Sequence, residues 1–117
     1  MNLNVYRNTH QFALNEAKIA YKALMKEQIL ALPIFEKVEA VFINYPKTKR
    51  IPDTNNVCSI HEKFFADALV EFGKLVDDHP RYWGRTIYNF GEVDKENPRV
   101  TILLREAKDI VRVIPSI

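Results

Sequence analysis

The chain has 117 residues, 47% hydrophobic and 27% charged, with a formal net charge of +2. That size and balance predict one globular domain, 1–117, with a modest core, and they exclude nucleic-acid binding driven by bulk charge, so any such affinity has to come from local cation clusters. A single cysteine, Cys58, excludes an intrachain disulfide and a Cys-rich zinc site, and His10, His61 and His79 are too scattered to replace one.

The opening MNLNVYRNTHQ lacks the apolar core of a secretory leader, and no apolar run approaches membrane-spanning length. The expectation is a cytoplasmic protein without a membrane partner.

The first predicted element is a helix over 15–30, NEAKIAYKALMKEQIL, with Asn15 as its N-cap. Ala17, Ala20, Leu24 and Gln28 trace one face, with Ile19 and Ala23 beside it. Lys18, Lys22 and Lys26 repeat at four-residue spacing and form a separate basic ridge. Pro33 stops the helix. Residues 36–45, EKVEAVFINY, alternate and then turn apolar on both faces, which predicts a strand inside a sheet. Pro46 ends it, and the basic stretch KTKRIPDTNN follows.

Residues 56–72 form the clearest helix. Val57, Ile60, Phe64, Ala68 and Phe72 hold one face, flanked by Phe65 and Leu69. Asn55 or Asn56 is placed as its N-cap and Gly73 as its C-cap. Asp77, Asp78 and Pro80 then break regular structure. Residues 85–93 and 99–104 read as two strands around the polar turn DKENP, a hairpin over 85–104. The tail REAKDIVRVIPSI fits either a short helix or an extended arm. The order of elements predicts an α/β (α+β) domain, a small mixed sheet packed with two main helices.

Three carboxylates stand out by context: Asp53, just before the long helix, and Asp77 and Asp78, just after it. Magnesium prefers hard oxygen ligands, and such an ion assists phosphodiester cleavage by polarising the phosphoryl oxygen and acidifying water. Acids of this kind have to converge beside cations that hold the substrate backbone. Lys18 and Lys22 on the first helix, Lys47, Lys49 and Arg50 in the loop, and Arg81 and Arg85 around Tyr82 and Trp83 are the candidate DNA contacts. Blander roles exist for each. Asp53 suits a cap and the Asp pair a turn. Lys63 is spaced to pair with Asp67, four residues on. Tyr82 and Trp83 suit core or interface anchors as well as base stacking. Cys58 suits a small packed residue.

Taken as an ordered series, KRIPDTNN, KFFADALVEFGKLVDD and NPRVTILL resemble the RusA family of small phage-type Holliday-junction resolvases. The matching pieces are Asp53-Thr54-Asn55-Asn56, Lys63, Asp67-Ala68-Leu69, Gly73 and Asp77-Asp78. The resemblance runs from about residue 47 to about residue 104. It implies a homodimeric, Mg2+-dependent endonuclease, with Mn2+ as a possible substitute. Such an enzyme resolves four-way DNA junctions by paired symmetric phosphodiester hydrolysis in phage recombination and repair, within a bacterial or phage-infected cytoplasm. By position, Asp53, Lys63 and Asp78 would be catalytic, and Asp53, Asn55, Asp77 and Asp78 would hold the metal.

Two departures matter. Asn55 stands where the family carries an acid, which removes one negative charge from the site. About four extra residues separate Asp53 from Lys63. The alternatives are therefore a weak or inactive protein that binds branched or single-stranded DNA, or a phage protein that binds a host protein through Tyr82, Trp83 and the apolar tail. Geometry adds a further constraint. A helix over 56–72 is about 25 Å long and separates Asp53 from Asp78. Both acids then share one metal site only if the helix is short or broken, or if the site spans a two-fold axis.

Overall fold

A computed structural model of the protein describes the backbone of residues 3–48 and 54–107, and the side chains of 11–48 and 57–107. In chain order the elements are α1 (Leu3–Leu30), β1 (Val38–Tyr45), α2 (Thr54–Glu71), β2 (Trp83–Phe90) and β3 (Arg99–Glu106). The three strands form one mixed sheet in the order β2-β1-β3. The architecture is a small α+β one, two helices with a three-stranded sheet.

β1 is the central strand, as its apolar character predicts. Val38, Ala40, Phe42 and Asn44 are buried, and the residues between them are half-buried on the other face. This period of two follows from the pleat, which sends successive side chains to opposite sides. α2 lies on the buried side. Phe65 meets Phe42 edge-to-face at 6.3 Å, and Cys58, Ala68 and Leu69 join them in the core. Cys58 is packed there as a small residue, with its Sγ 3.8 Å from the Phe42 carbonyl oxygen.

Residues 85–104 do not form the predicted hairpin. β2 pairs parallel with β1, and β3 pairs antiparallel with its opposite edge. Parallel pairing needs a long crossover, and α2 supplies it between β1 and β2. The segment after β2 then crosses the end of β1. There the Gly91 N–H donates to the Asn44 carbonyl at 2.8 Å and the Asp94 N–H to the Pro46 carbonyl at 2.9 Å. Only glycine suits position 91, because a Cβ there would stand 2.5 Å from the Tyr45 ring. A polar turn between two strand-like runs thus looks the same in sequence whether the strands pair or straddle a third.

α2 matches its predicted span within two residues, although it starts at Thr54, so Asn55 and Asn56 lie inside its first turn and are not its cap. Gly73 ends it as predicted. Its φ of 76° is the left-handed conformation that favours glycine. The Lys74 N–H donates to the Leu69 carbonyl at 2.9 Å and the Gly73 N–H to the Val70 carbonyl at 3.1 Å, the paired bonds of a Schellman cap.

α1 departs most from expectation. It spans 28 residues and begins twelve residues before the predicted start, so Asn15 is interior and not a cap. Its packed face carries Tyr21, Met25 and Ile29, whereas Ala17, Ala20, Leu24 and Gln28 are exposed, Leu24 at 77%. The lysines explain the difference. Lys18 pairs with Asp67 at 2.7 Å and Lys22 with Glu71 at 2.9 Å, both across the seam with α2. Their alkyl stems belong to the packed side. An apolar count assigns them to the solvent face.

Candidate functional site

Ser59, Glu62, Lys63 and Ala66 fall at i, i+3, i+4 and i+7 on α2, which places them on one stripe. That stripe lines an open cleft of about 370 Å³, closed on the other side by Trp83, Tyr88 and Asp78. The Tyr88 hydroxyl donates to Oε2 of Glu62. The Thr86 hydroxyl donates to Oε1 at 3.1 Å, and the Trp83 indole N–H donates in turn to Thr86 Oγ1 at 2.7 Å. A register shift in the β1–β2 ladder makes this chain possible. One strand residue more on β2 than on β1 puts Trp83 and Thr86, three apart, on the same face. Burial, then the hydrogen bond to Glu62, pushes the Tyr88 phenol up to about 12, so it remains a donor at neutral pH.

Asp78 reaches this cleft because the chain doubles back after the Gly73 cap. The Phe35 N–H donates to the Lys74 carbonyl at 2.8 Å, and the Tyr82 and Trp83 N–H groups both donate to the His79 carbonyl, at 2.8 and 2.9 Å. The turn between them sets Asp78 beside the middle of α2. α2 is neither short nor broken, yet Asp78 lies beside its middle and not beyond its C-terminal end. The Asp78 N–H donates to Asp77 Oδ1 at 2.7 Å. A side-chain hydrogen bond with Asp77, then burial and the nearby charges of Asp77 and Asp67, hold the Asp78 carboxyl above the usual carboxylate value.

The predicted residues therefore divide. Lys63 and Asp78 share one cleft, with Asp77 against Asp78. Lys63 does not pair with Asp67, which is taken by Lys18. Asn55 sits in the first turn of α2, about 12 Å along the axis from Lys63 and one turn before Ser59, and its side chain lies outside the described residues. Asp53, Lys49 and Arg50 lie outside the described residues, as does most of the tail. Among the described residues, no group of three or more His, Cys, Asp or Glu is gathered as a metal cage. Glu62 and Asp78 are the acids that line this cleft, and carboxylate oxygen is the donor type that magnesium prefers.

The predicted cations also separate. Lys18 and Lys22 are not a free ridge, because each is held by an acid of α2. Arg85 lies on the outer face of the sheet, in a groove with Ile87, Leu103 and Arg105, on the side away from α2. Arg81 is exposed, with its guanidinium 5.8 Å from the Tyr82 ring centre. Trp83 is a core residue at 7% exposure, which removes it as a stacking platform. Lys47 lines a separate cleft at the N-terminal end of α2.

Sequence reasoning missed Glu62, Thr86 and Tyr88. The available signal was the helical stripe Ser59-Glu62-Lys63-Ala66, which puts an acid beside the candidate lysine. The partners on β2 depend on the register shift and left no trace in the residue pattern. Among the described residues, no helix is long and apolar enough to cross a membrane. Compared with protein-family models and with curated proteins, the chain matches none of them.

Proposed function

We propose that the protein is a metal-dependent endonuclease that resolves four-way DNA junctions as a homodimer, with its chemistry at the cleft in the middle of α2. The observation that carries this reading is the shared cleft of Lys63, Asp78 and Glu62. Two of these three were singled out from sequence for phosphodiester chemistry, and the fold brings them together from either side of the Gly73 turn.

Lys63 places a cation where negative charge grows on a phosphate in the transition state. Glu62, oriented by the Tyr88 and Thr86 hydroxyls, keeps lone pairs free for a further ligand. Asp78, with its carboxyl held above the ordinary value, accepts a proton from an attacking water more readily than a free aspartate. A bound magnesium or manganese ion supplies polarisation of the phosphoryl oxygen and a more acidic water. Two copies related by a two-fold axis present two identical sites to two related strands of a junction.

A second reading, a protein that binds branched DNA without cutting it, is favoured by the amide at Asn55. One assay separates the two. Labelled synthetic four-way junctions are incubated with the protein, with and without magnesium or manganese. Paired symmetric nicks that need the metal are expected. Retention of the junction without nicks favours the second reading, and neither cutting nor retention overturns both.

A further inference from the structure

A second cleft, of about 530 Å³, opens at the N-terminal end of α2. Its walls come from the end of β1 and the residues after it (Asn44, Lys47, Thr48), from α2 (Val57, His61) and from the start of β3 (Arg99). Val57 and His61 are four apart and form a stripe different from Ser59, Glu62 and Lys63, so the two clefts occupy different sides of one helix. Among the described residues, none of the lining residues is a carboxylate and two are cations.

Three features of this cleft point to an anion. The first is Asn44, 5% exposed, whose Nδ2 is enclosed without a hydrogen-bond partner among the described residues. A buried amide donor in that state costs free energy unless a ligand or water completes it. The second is Arg99. Its guanidinium lies 4.2 Å from the Tyr45 ring centre, and Nη1 is held by Asp94 Oδ2 at 2.6 Å and the Asn97 carbonyl at 3.0 Å. Both contacts use Nη1, so the plane of the group is fixed while the Nε and Nη2 donors remain for a ligand. The third is the position beside the first turn of an 18-residue helix, whose N-terminal N–H groups and dipole favour negative charge. Asp94 reduces the net positive charge near Arg99, yet it lies outside the lining and leaves the cleft surface cationic.

We propose that this cleft is a phosphate-binding site formed by Asn44, Lys47 and Arg99 at the N-terminal end of α2. It rests on the endonuclease reading only for the source of the phosphate, which there is a backbone phosphate some distance from the one being cut. A junction arm then touches α2 at two places, held at one and hydrolysed at the other.

The test uses the full chain labelled with 15N and no metal. Inorganic phosphate is titrated in one arm and a short single-stranded oligonucleotide in the other, and the Asn44 side-chain amide and Arg99 Nε–H signals are followed. Saturable shifts of both signals are expected. Arg99→Gln and the nearly isosteric Asn44→Asp should each weaken the phosphate response by about tenfold or more. Unchanged β1 amide signals in the variants establish that they fold. An oligonucleotide that acts at lower concentration than inorganic phosphate identifies the backbone as the source, and the reverse order identifies free phosphate, the site standing in both cases. If neither probe moves the Asn44 and Arg99 signals, or if both variants respond like the wild type, the site is overturned, even where junctions are cut. If junctions are left uncut while phosphate binds here, the endonuclease reading fails and the site stands.

Discussion

The two clefts along α2 use opposite means to fix their polar groups. The mid-helix cleft holds Glu62 through a relay of Trp83, Thr86 and Tyr88, so each oxygen of its acid is oriented by a hydroxyl and its geometry is set before any ligand arrives. The N-terminal cleft leaves Asn44 Nδ2 incomplete and fixes Arg99 from one side only. The lesson is one of division of labour. A site for chemistry needs groups already in place, and a site for holding a charged group keeps donors in reserve.

Both clefts depend on the same seam between α2 and the sheet, and the largest perturbation strikes it. Phe65 is 2% exposed against Phe42. Phe65→Ala should lower stability by about 3–5 kcal/mol in denaturant unfolding and weaken both clefts together. If only one cleft were affected, they would not share a foundation. Arg99→Gln comes next. It should reduce junction retention by about tenfold while leaving the metal requirement of cutting unchanged. A matching loss in the cutting step itself would merge the two clefts into one.

Asp77→Asn sharpens the mid-helix side. The hydrogen bond with Asp77 is the first cause of the raised Asp78 carboxyl, so its 13C titration should move to lower pH in the variant. The sign extends to stability. The folded chain holds the Asp78 proton more tightly than the unfolded chain does. That stabilisation is present below the unfolded value and is lost as pH rises through the raised one. An Asp78 titration unmoved by Asp77→Asn would contradict the assigned cause. The smallest effect belongs to Lys18→Met. The Lys18–Asp67 pair is about a third exposed on each side, so its loss should cost under about 1 kcal/mol.

Much of the fold was legible because it rests on periodicity. The alternation in Val38–Tyr45 and Gly73 as the cap of α2 each follow from local rules, and each is present, whereas the apolar stripe of α2 is present in part: Phe64, Phe65, Ala68 and Leu69 are buried, but Ile60 is 52% exposed and Cys58 and Ala66 are buried instead. α1 was misread because lysines occupy its packed face, where their stems are apolar and their charges meet Asp67 and Glu71. The hairpin was misread because pairing of β2 and β3 through β1 is a long-range choice. At the candidate site, Lys63 and Asp78 were legible as residue types in an ordered series. Glu62 was not, because its importance comes from Thr86 and Tyr88, more than twenty residues away in sequence.

The most direct test of the account is junction cleavage by Asp78→Asn beside the wild type, in magnesium, with folding verified by the amide spectrum. Asp78 is exposed, so the variant should fold. The account predicts metal-dependent paired nicks by the wild type and their loss in Asp78→Asn with junction retention preserved. Normal cutting by Asp78→Asn would contradict it.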